Sequence, residues 1–318
     1  MKAAPIFAIL AALAVFPAWA KEETVATAVY GRVGNGYKRE KLKDGSFKPE
    51  YYALSNGGMV SGTTRDNTVD RVTYAEVAEI AMKLLAQQNY HYAKSAEQAK
   101  LLLVLQWGNT IAFDTTSYAL NVNNAASVYA ELSAIMGPQG MGSIERGGVG
   151  SLGTANEPRS QGETDPSVGE RFETAILKLL MDNRVRDQLN EKNARVLGYL
   201  DDLNDSNDIR RWAGGGDRFT DLIGDVEESR YYIVISAYDF PELTTKNNKK
   251  LLWQTRVSVR VPGNRFYDSV GAMMKSAAKY FGQDSGRLVR GEETKGTVEM
   301  GDLKFLGEAK EPAPEGKK

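Results

Sequence analysis

The chain has no cysteine and a single histidine, His91, among 318 residues. Without thiols there can be no disulfide, no thiolate metal site, no cysteine nucleophile and no lipidated cysteine. With one imidazole, zinc sites built on His or Cys and histidine-dependent triads are nearly excluded. Neither sign of charge is in excess: 40 Lys+Arg face 41 Asp+Glu, a formal net charge of −1. A dedicated nucleic-acid binder would need a clear basic surplus, so no nucleic-acid partner is expected. Long apolar runs are missing too, since no stretch reaches the 18 or so residues of a membrane-spanning helix. What remains is an ordinary globular composition, 42% hydrophobic and 25% charged, sufficient for one substantial core.

The most specific pattern lies at residues 1–20. Lys2 supplies a positive start, and Ile6 to Phe16 form an apolar core of signal-peptide length. Pro17 breaks the run before Ala18-Trp19-Ala20, a small-x-small cleavage pattern. The expectation is an export signal cleaved after Ala20, with no transmembrane segment and no lipid anchor in the mature chain. The protein would then be periplasmic or extracellular.

Residues 21–49 are polar, locally basic and glycine-containing, and are expected to form a flexible basic arm. A single α+β domain is expected over 50–306, followed by a disordered tail at 307–318. Glu50 to Leu54 reads as a short strand ended by Asn56-Gly57-Gly58. Thr73 and Glu76 have capping-box spacing, and Val77, Ile80, Ala81, Leu84 and Leu85 form one helical stripe. Lys100 to Trp107 reads as an inner strand.

Between about 110 and 228 the pattern suggests an insertion of loop and helices. Ala125 to Met136 reads as a short helix, 137–166 as a long loop, and a helix follows from Pro166. Strand character returns at Tyr231–Phe240. After a turn, Leu251–Val261 alternates Trp253, Thr255, Val257, Val259 and Val261 against Gln254, Arg256, Ser258 and Arg260, as in an antiparallel strand with one wet face. Phe266, Val270, Met273, Met274, Ala277 and Phe281 line a last helix, and Val298–Leu306 suggests a terminal strand. The fold class is α+β: a mixed or antiparallel sheet, amphipathic helices 74–88 and 265–281 on one face, and a second layer from the insertion.

The segments "LAQQNYHYAKSAEQAKLLLVLQWG" and "YYIVISAYDFPELTTKNNKKLLWQTRVSV", followed by an amphipathic helix, resemble uncharacterised bacterial envelope domains, domain of unknown function 4136. Similar exported proteins occur in Gram-negative groups such as Verrucomicrobia. The likeness covers roughly residues 50–108 and 229–282. It implies an envelope location and an α+β sandwich, and carries over no catalytic residue. Two departures are the missing lipidation cysteine and the large insertion.

No motif compels an enzymatic assignment. Gly148 to Gly153 matches G-x-G-x-x-G by letters but lacks a strand before it and a helix after it. Asp201 to Asp208 is rich in oxygen ligands. As a calcium loop starting at Asp202 it places Asn204 and Ser206 well, but fails at Asn207 and Ala213. His91 reads as a surface residue just past a helix end. Asp239 and Glu242 flank Pro241 and are the candidates for carboxylate acid–base chemistry. Tyr231, Tyr238 and Trp253, with Asp239, are the candidates for a ligand-binding wall; the same aromatics suit core packing. No metal or cofactor is indicated. The expected function is a non-enzymatic binding or structural module for an envelope component or small ligand; the alternative is an exported carboxylate-dependent hydrolase.

Overall fold

The computed structural model describes residues 23–62, 66–147, 166–205 and 216–295. The export signal, the glycine motif at 148–153, the strand expected at 298–306 and the tail lie outside the described residues, as does the 206–208 part of the acidic run. The fold is α+β. Its centre is a mixed seven-stranded sheet in the order β3-β2-β4-β5-β6-β1-β7. The strands are β1 (Thr24–Val33), β2 (Glu50–Val60), β3 (Tyr90–Tyr92), β4 (Leu101–Asn109), β5 (Arg230–Asp239), β6 (Leu251–Arg260) and β7 (Val289–Thr294). β2 pairs parallel with β3 and β4, and the remaining pairings are antiparallel.

The front face of the sheet carries α2 (Tyr74–Ala86) and α7 (Phe266–Ala278). The expected capping box is formed: the Thr73 side chain accepts from the Glu76 N–H, and Glu76 reaches back to the Thr73 N–H at 2.7 Å. This satisfies two donors that a helix start leaves open. Val77, Ile80, Ala81 and Leu85 of α2 pack with Phe266, Met273, Met274 and Ala277 of α7. Beneath them lie the odd-numbered residues of the central strands, among them Leu103, Leu105, Ile233, Ile235, Val257 and Val259. The two stripes read from sequence therefore bury against the sheet as expected.

The back face is covered by the insertion. Two long helices, α3 (Thr115–Gly147) and α4 (Pro166–Leu197), form an antiparallel pair with a small core of Val128, Leu132, Val168 and Phe172. A helical turn at 200–205 and α5 (Gly216–Glu227) complete the layer. Leu197, Tyr199, Leu222 and Val226 pack on Ala28, Tyr30, Tyr232 and Val234, the even-numbered residues of β1 and β5.

Four sequence expectations are corrected here. The described part of the arm, 23–49, is built into the fold rather than flexible. Its first part is β1, inserted between β6 and β7 with both faces covered. Its glycines do not break the strand, because Gly31 lies in register with Thr255 and is buried. The rest of the arm is pinned by Arg39, whose guanidinium lies 4.0 Å from the rings of both Phe47 and Tyr90.

β2 does not stop at Asn56-Gly57-Gly58 but passes through it as a bulge, a form in which an extra residue is absorbed without ending the pairing. The loop expected over 137–166 is not a loop in its first part, because α3 runs to Gly147; 148–165 lie outside the described residues. The turn at 241–248 is a short helix, α6 (Phe240–Lys246). The remaining helix, α1 (Asn67–Asp70), is a single turn ahead of α2.

Candidate functional site

The residues proposed from sequence as a ligand wall do not converge. Tyr231 and Trp253 are front-face core residues, 2% and 1% exposed. They are separated along the sheet, since Tyr231 is in register with Val259 and Trp253 with Ala237; six residues of strand is about 20 Å. The Tyr231 hydroxyl donates to Asp66 at 2.5 Å and its ring packs on Phe266, so it ties the start of α1 to β5. Trp253 stacks on Phe281 and lies beside Tyr90. Tyr238 sits at the bulge near the end of β5. Tyr231 and Trp253 pack the core because alternate strand positions on a covered face bury large side chains, whereas Tyr238 is half-buried.

Asp239 and Glu242 do share one end of the sheet. They line a wide cleft of about 610 Å³ with Glu50, Lys48, Lys100 and Lys246. Their contacts are local. Asp239 is the N-cap of α6, accepting from the Glu242 N–H at 3.1 Å. Glu242 bonds Lys246 at 2.9 Å, which holds its carboxyl below the usual range. A general acid needs the opposite displacement. His91 is an exposed residue of the edge strand β3, beside Tyr51. In the acidic run, Asp201 and Asp202 are engaged by protein groups. Asp202 is buried, accepts the Leu288 N–H at 2.7 Å and pairs with Arg218. Among the described residues, no group of three or more His, Asp or Glu could hold a metal ion.

The arrangement with the clearest binding geometry lies on the back face. Tyr30 and Arg32 of β1 are in register with Arg256 and Gln254 of β6, so all four project from one side of the sheet. The C-terminus of α4 and the turn at 200–205 roof them, leaving a cleft of about 320 Å³ also lined by Arg195, Gly198, Leu200 and Asp201. The roof is fixed by the way α4 ends. Gly198 takes φ +84°, and the N–H groups of Gly198 and Tyr199 both return to the Ala194 carbonyl at 3.0 and 2.8 Å, as in a Schellman stop. A Cβ on Gly198 would come 2.7 Å from the Cβ of Tyr30.

Within the cleft, the Tyr30 hydroxyl donates to Asp201, and Arg32 pairs with the same carboxylate at 3.2 Å. Burial, then the Asp201 carboxylate, pushes the Tyr30 phenol up to about 12. Arg256 is different. Its guanidinium is half-buried over the Tyr30 ring at 5.9 Å. Among the described residues no carboxylate lies within ion-pair distance of it. Desolvation pulls its pKa below the ordinary arginine value, yet an arginine stays charged in any protein. The lining thus holds three guanidinium groups, of Arg32, Arg195 and Arg256, against the single carboxylate of Asp201. An anionic group entering the cleft would meet a planar donor fork already stripped of part of its water.

Sequence reasoning placed Arg256 on a wet strand face and so passed over it. The register with Tyr30 would have exposed the pairing, but it depends on recognising 24–33 as a strand. Compared with known proteins, the chain matches no family model and no curated protein.

Proposed function

We propose that this is an exported cell-envelope protein of non-enzymatic role that binds a small anionic ligand in the back-face cleft. The observation that carries the binding reading is the half-buried guanidinium of Arg256, which forms no ion pair among the described residues and opens on a cavity of about 320 Å³. Burying an unpaired charge costs stability, so a fold that keeps one beside a cavity gains from it when an anion arrives. The volume suits a small molecule carrying one carboxylate or phosphate and an apolar body that rests on Leu200, Leu251 and the Tyr30 ring. The export reading rests on the order of charge, apolar core and cleavage pattern in residues 1–20. It agrees with the resemblance to bacterial envelope domains. No helix among the described residues is long and apolar enough to cross a membrane.

Two measurements test these statements separately. Expressed at full length in a Gram-negative host, the protein should appear in the periplasmic fraction with Lys21 as its first residue. Retention in the cytoplasm with residues 1–20 intact would refute export. In calorimetric titration with a panel of small carboxylates and phosphates, at least one should bind with a Kd of about 10 μM to 1 mM. Uniform failure of the panel at low salt would refute the anion site.

A further inference from the structure

One end of the sheet carries a charge imbalance that the whole chain does not. There β1 and β5 end and β2, β4 and β6 begin. Residues 38–50, Lys100 and residues 239–250 meet there around the wide cleft of Asp239 and Glu242. Backbone bonds fix them to one another. The Lys100 N–H donates to the Tyr51 carbonyl at 2.9 Å, the Phe240 N–H to the Lys100 carbonyl at 3.0 Å, and the Asp239 N–H to the Lys250 carbonyl at 3.0 Å. Together these segments bring eight lysines against five carboxylates, in a chain whose net charge is −1. The carboxylates already have partners. Glu40 pairs with Lys48 and Glu242 with Lys246. Asp44 accepts from Ser46, Glu50 accepts from the Tyr37 hydroxyl, and Asp239 caps α6. The other six lysines, Lys38, Lys41, Lys43, Lys100, Lys249 and Lys250, form no ion pair among the described residues.

A hairpin over 40–48 stands at this end. Lys41 and Phe47 bridge, the Leu42 N–H donates to the Ser46 carbonyl at 2.7 Å, and the Lys48 N–H to the Glu40 carbonyl at 2.9 Å. Its root is pinned. Arg39 is buried against Phe47 and Tyr90 and donates to the Gln88 carbonyl at 2.5 Å, while the Asn89 amide donates to the Phe47 carbonyl at 2.8 Å. The tip held out by this root is Lys41-Leu42-Lys43, with Leu42 46% exposed. Asp44 is the opposing charge at the tip, and its carboxylate accepts the Ser46 N–H and hydroxyl at 2.9 and 2.7 Å. A lone exposed leucine is ordinary on a protein surface. This one differs in its place, at a fixed turn between two unpaired lysines and beside a lysine-lined cleft. A soluble polyanion would use the lysines and leave Leu42 in water. A bilayer uses both, because lipid phosphates meet the ammonium groups while the apolar side chain reaches the acyl boundary. We propose that this end of the sheet, led by Leu42 between Lys41 and Lys43, docks reversibly on a bilayer surface rich in anionic phospholipid. Each lysine close to such a surface strengthens binding about fivefold, so a surplus of three gives a preference of about a hundredfold over a neutral bilayer. No residue lines both this cleft and that of Arg256, so the two readings stand apart.

Vesicle flotation of the full chain tests this. With phosphatidylcholine vesicles containing about 40% phosphatidylglycerol, the chain should float with the lipid at about 0.05 M salt and dissociate at about 0.5 M. With phosphatidylcholine alone it should stay in solution. Lys41→Glu with Lys43→Glu should weaken partitioning by about tenfold or more. Lys178→Glu with Lys192→Glu makes the same change in net charge on exposed positions of α4 and should leave partitioning near wild type. Arg256→Met should also leave it unchanged. The absence of cysteine allows a unique label. A polarity-sensitive dye on Leu42→Cys should shift to the blue on anionic vesicles, and the same dye on Lys192→Cys should not. Equal binding to neutral vesicles would overturn the proposal, as would a hairpin variant no weaker than the α4 variant. Loss of vesicle binding in Arg256→Met would move the contact to the other cleft and overturn it too. A dye at position 42 that stays in water while the chain is vesicle-bound would contradict the insertion of the tip and so refute the docking geometry.

Discussion

The two faces of the sheet are built on different terms. The front face, under α2 and α7, is apolar almost throughout; some of its few polar groups pair inside it, while the indole N–H groups of Trp107 and Trp253 and the Ser269 hydroxyl have no hydrogen-bond partner among the described residues. Thr27 and Ser276 share a buried hydrogen bond of 2.8 Å, and Thr255 donates to the Tyr280 carbonyl at 3.0 Å. The back face buries a smaller apolar set and interleaves it with charge. There Asp225 gathers Arg230 at 3.0 Å, Arg290 at 2.6 Å and the Tyr199 hydroxyl at 3.2 Å, while Arg256 forms no ion pair among the described residues. A dry face contributes mostly stability. A face that holds charge near cavities gives up some stability for the capacity to bind. On the proposed binding reading, the fold separates the two tasks across a single sheet.

High pH offers the broadest way to break this contrast. Burial raises Tyr199 and Tyr232 of the back face, and Tyr231 of the front, to about 12, as it does Tyr30. The neutral phenol is thus favoured in the fold. The stability it contributes is intact below the ordinary value of 10.0 and is lost as pH climbs to about 12. Thermal melts between pH 9 and 12, read with tyrosinate absorbance, should show these phenols ionising together with unfolding. Early ionisation without loss of structure would show them to be accessible.

Single substitutions sharpen the comparison. Phe266→Ala empties a fully buried site of the front core and should cost about 3–5 kcal/mol in denaturant unfolding. Asp225→Ala strands the buried Arg230 guanidinium and should cost about 3 kcal/mol; a loss below about 1 kcal/mol would mean that water reaches the cluster. Gly198→Ala forces a side chain into the left-handed region and against Tyr30. It should cost about 1–3 kcal/mol and weaken anion binding, because it lifts the roof of the cleft.

The same contrast decides how much was legible in sequence. The stripes of α2 and α7 and the strand β6 could be read because apolar residues recur there with a period, and β4 and β5 because a continuous apolar run of strand length marks an inner strand. β1 could not. Its two covered faces, its buried Thr27 and Gly31 and its nearby lysines hide the period. Ser258 and Arg256 alternate like residues of a wet face, yet Ser258 is buried where Arg230 bonds it at 3.1 Å. The candidate cleft was illegible for the same reason, since it joins β1, β6 and the end of α4, three segments far apart in the chain. Asp239 and Glu242 were recognised as neighbours, but their capping and ion-pair roles depend on α6, a helix read from sequence as a turn.

The most direct test of the division between the faces is Arg256→Met, with stability and anion affinity measured on the same preparation. Removing an unpaired, partly desolvated charge while keeping the apolar stem should leave unfolding free energy within about 1 kcal/mol of wild type, or raise it. The same change should abolish binding of the best small anion. A loss of several kcal/mol with anion binding unchanged would contradict the account, because it would make Arg256 a structural residue and the cleft incidental.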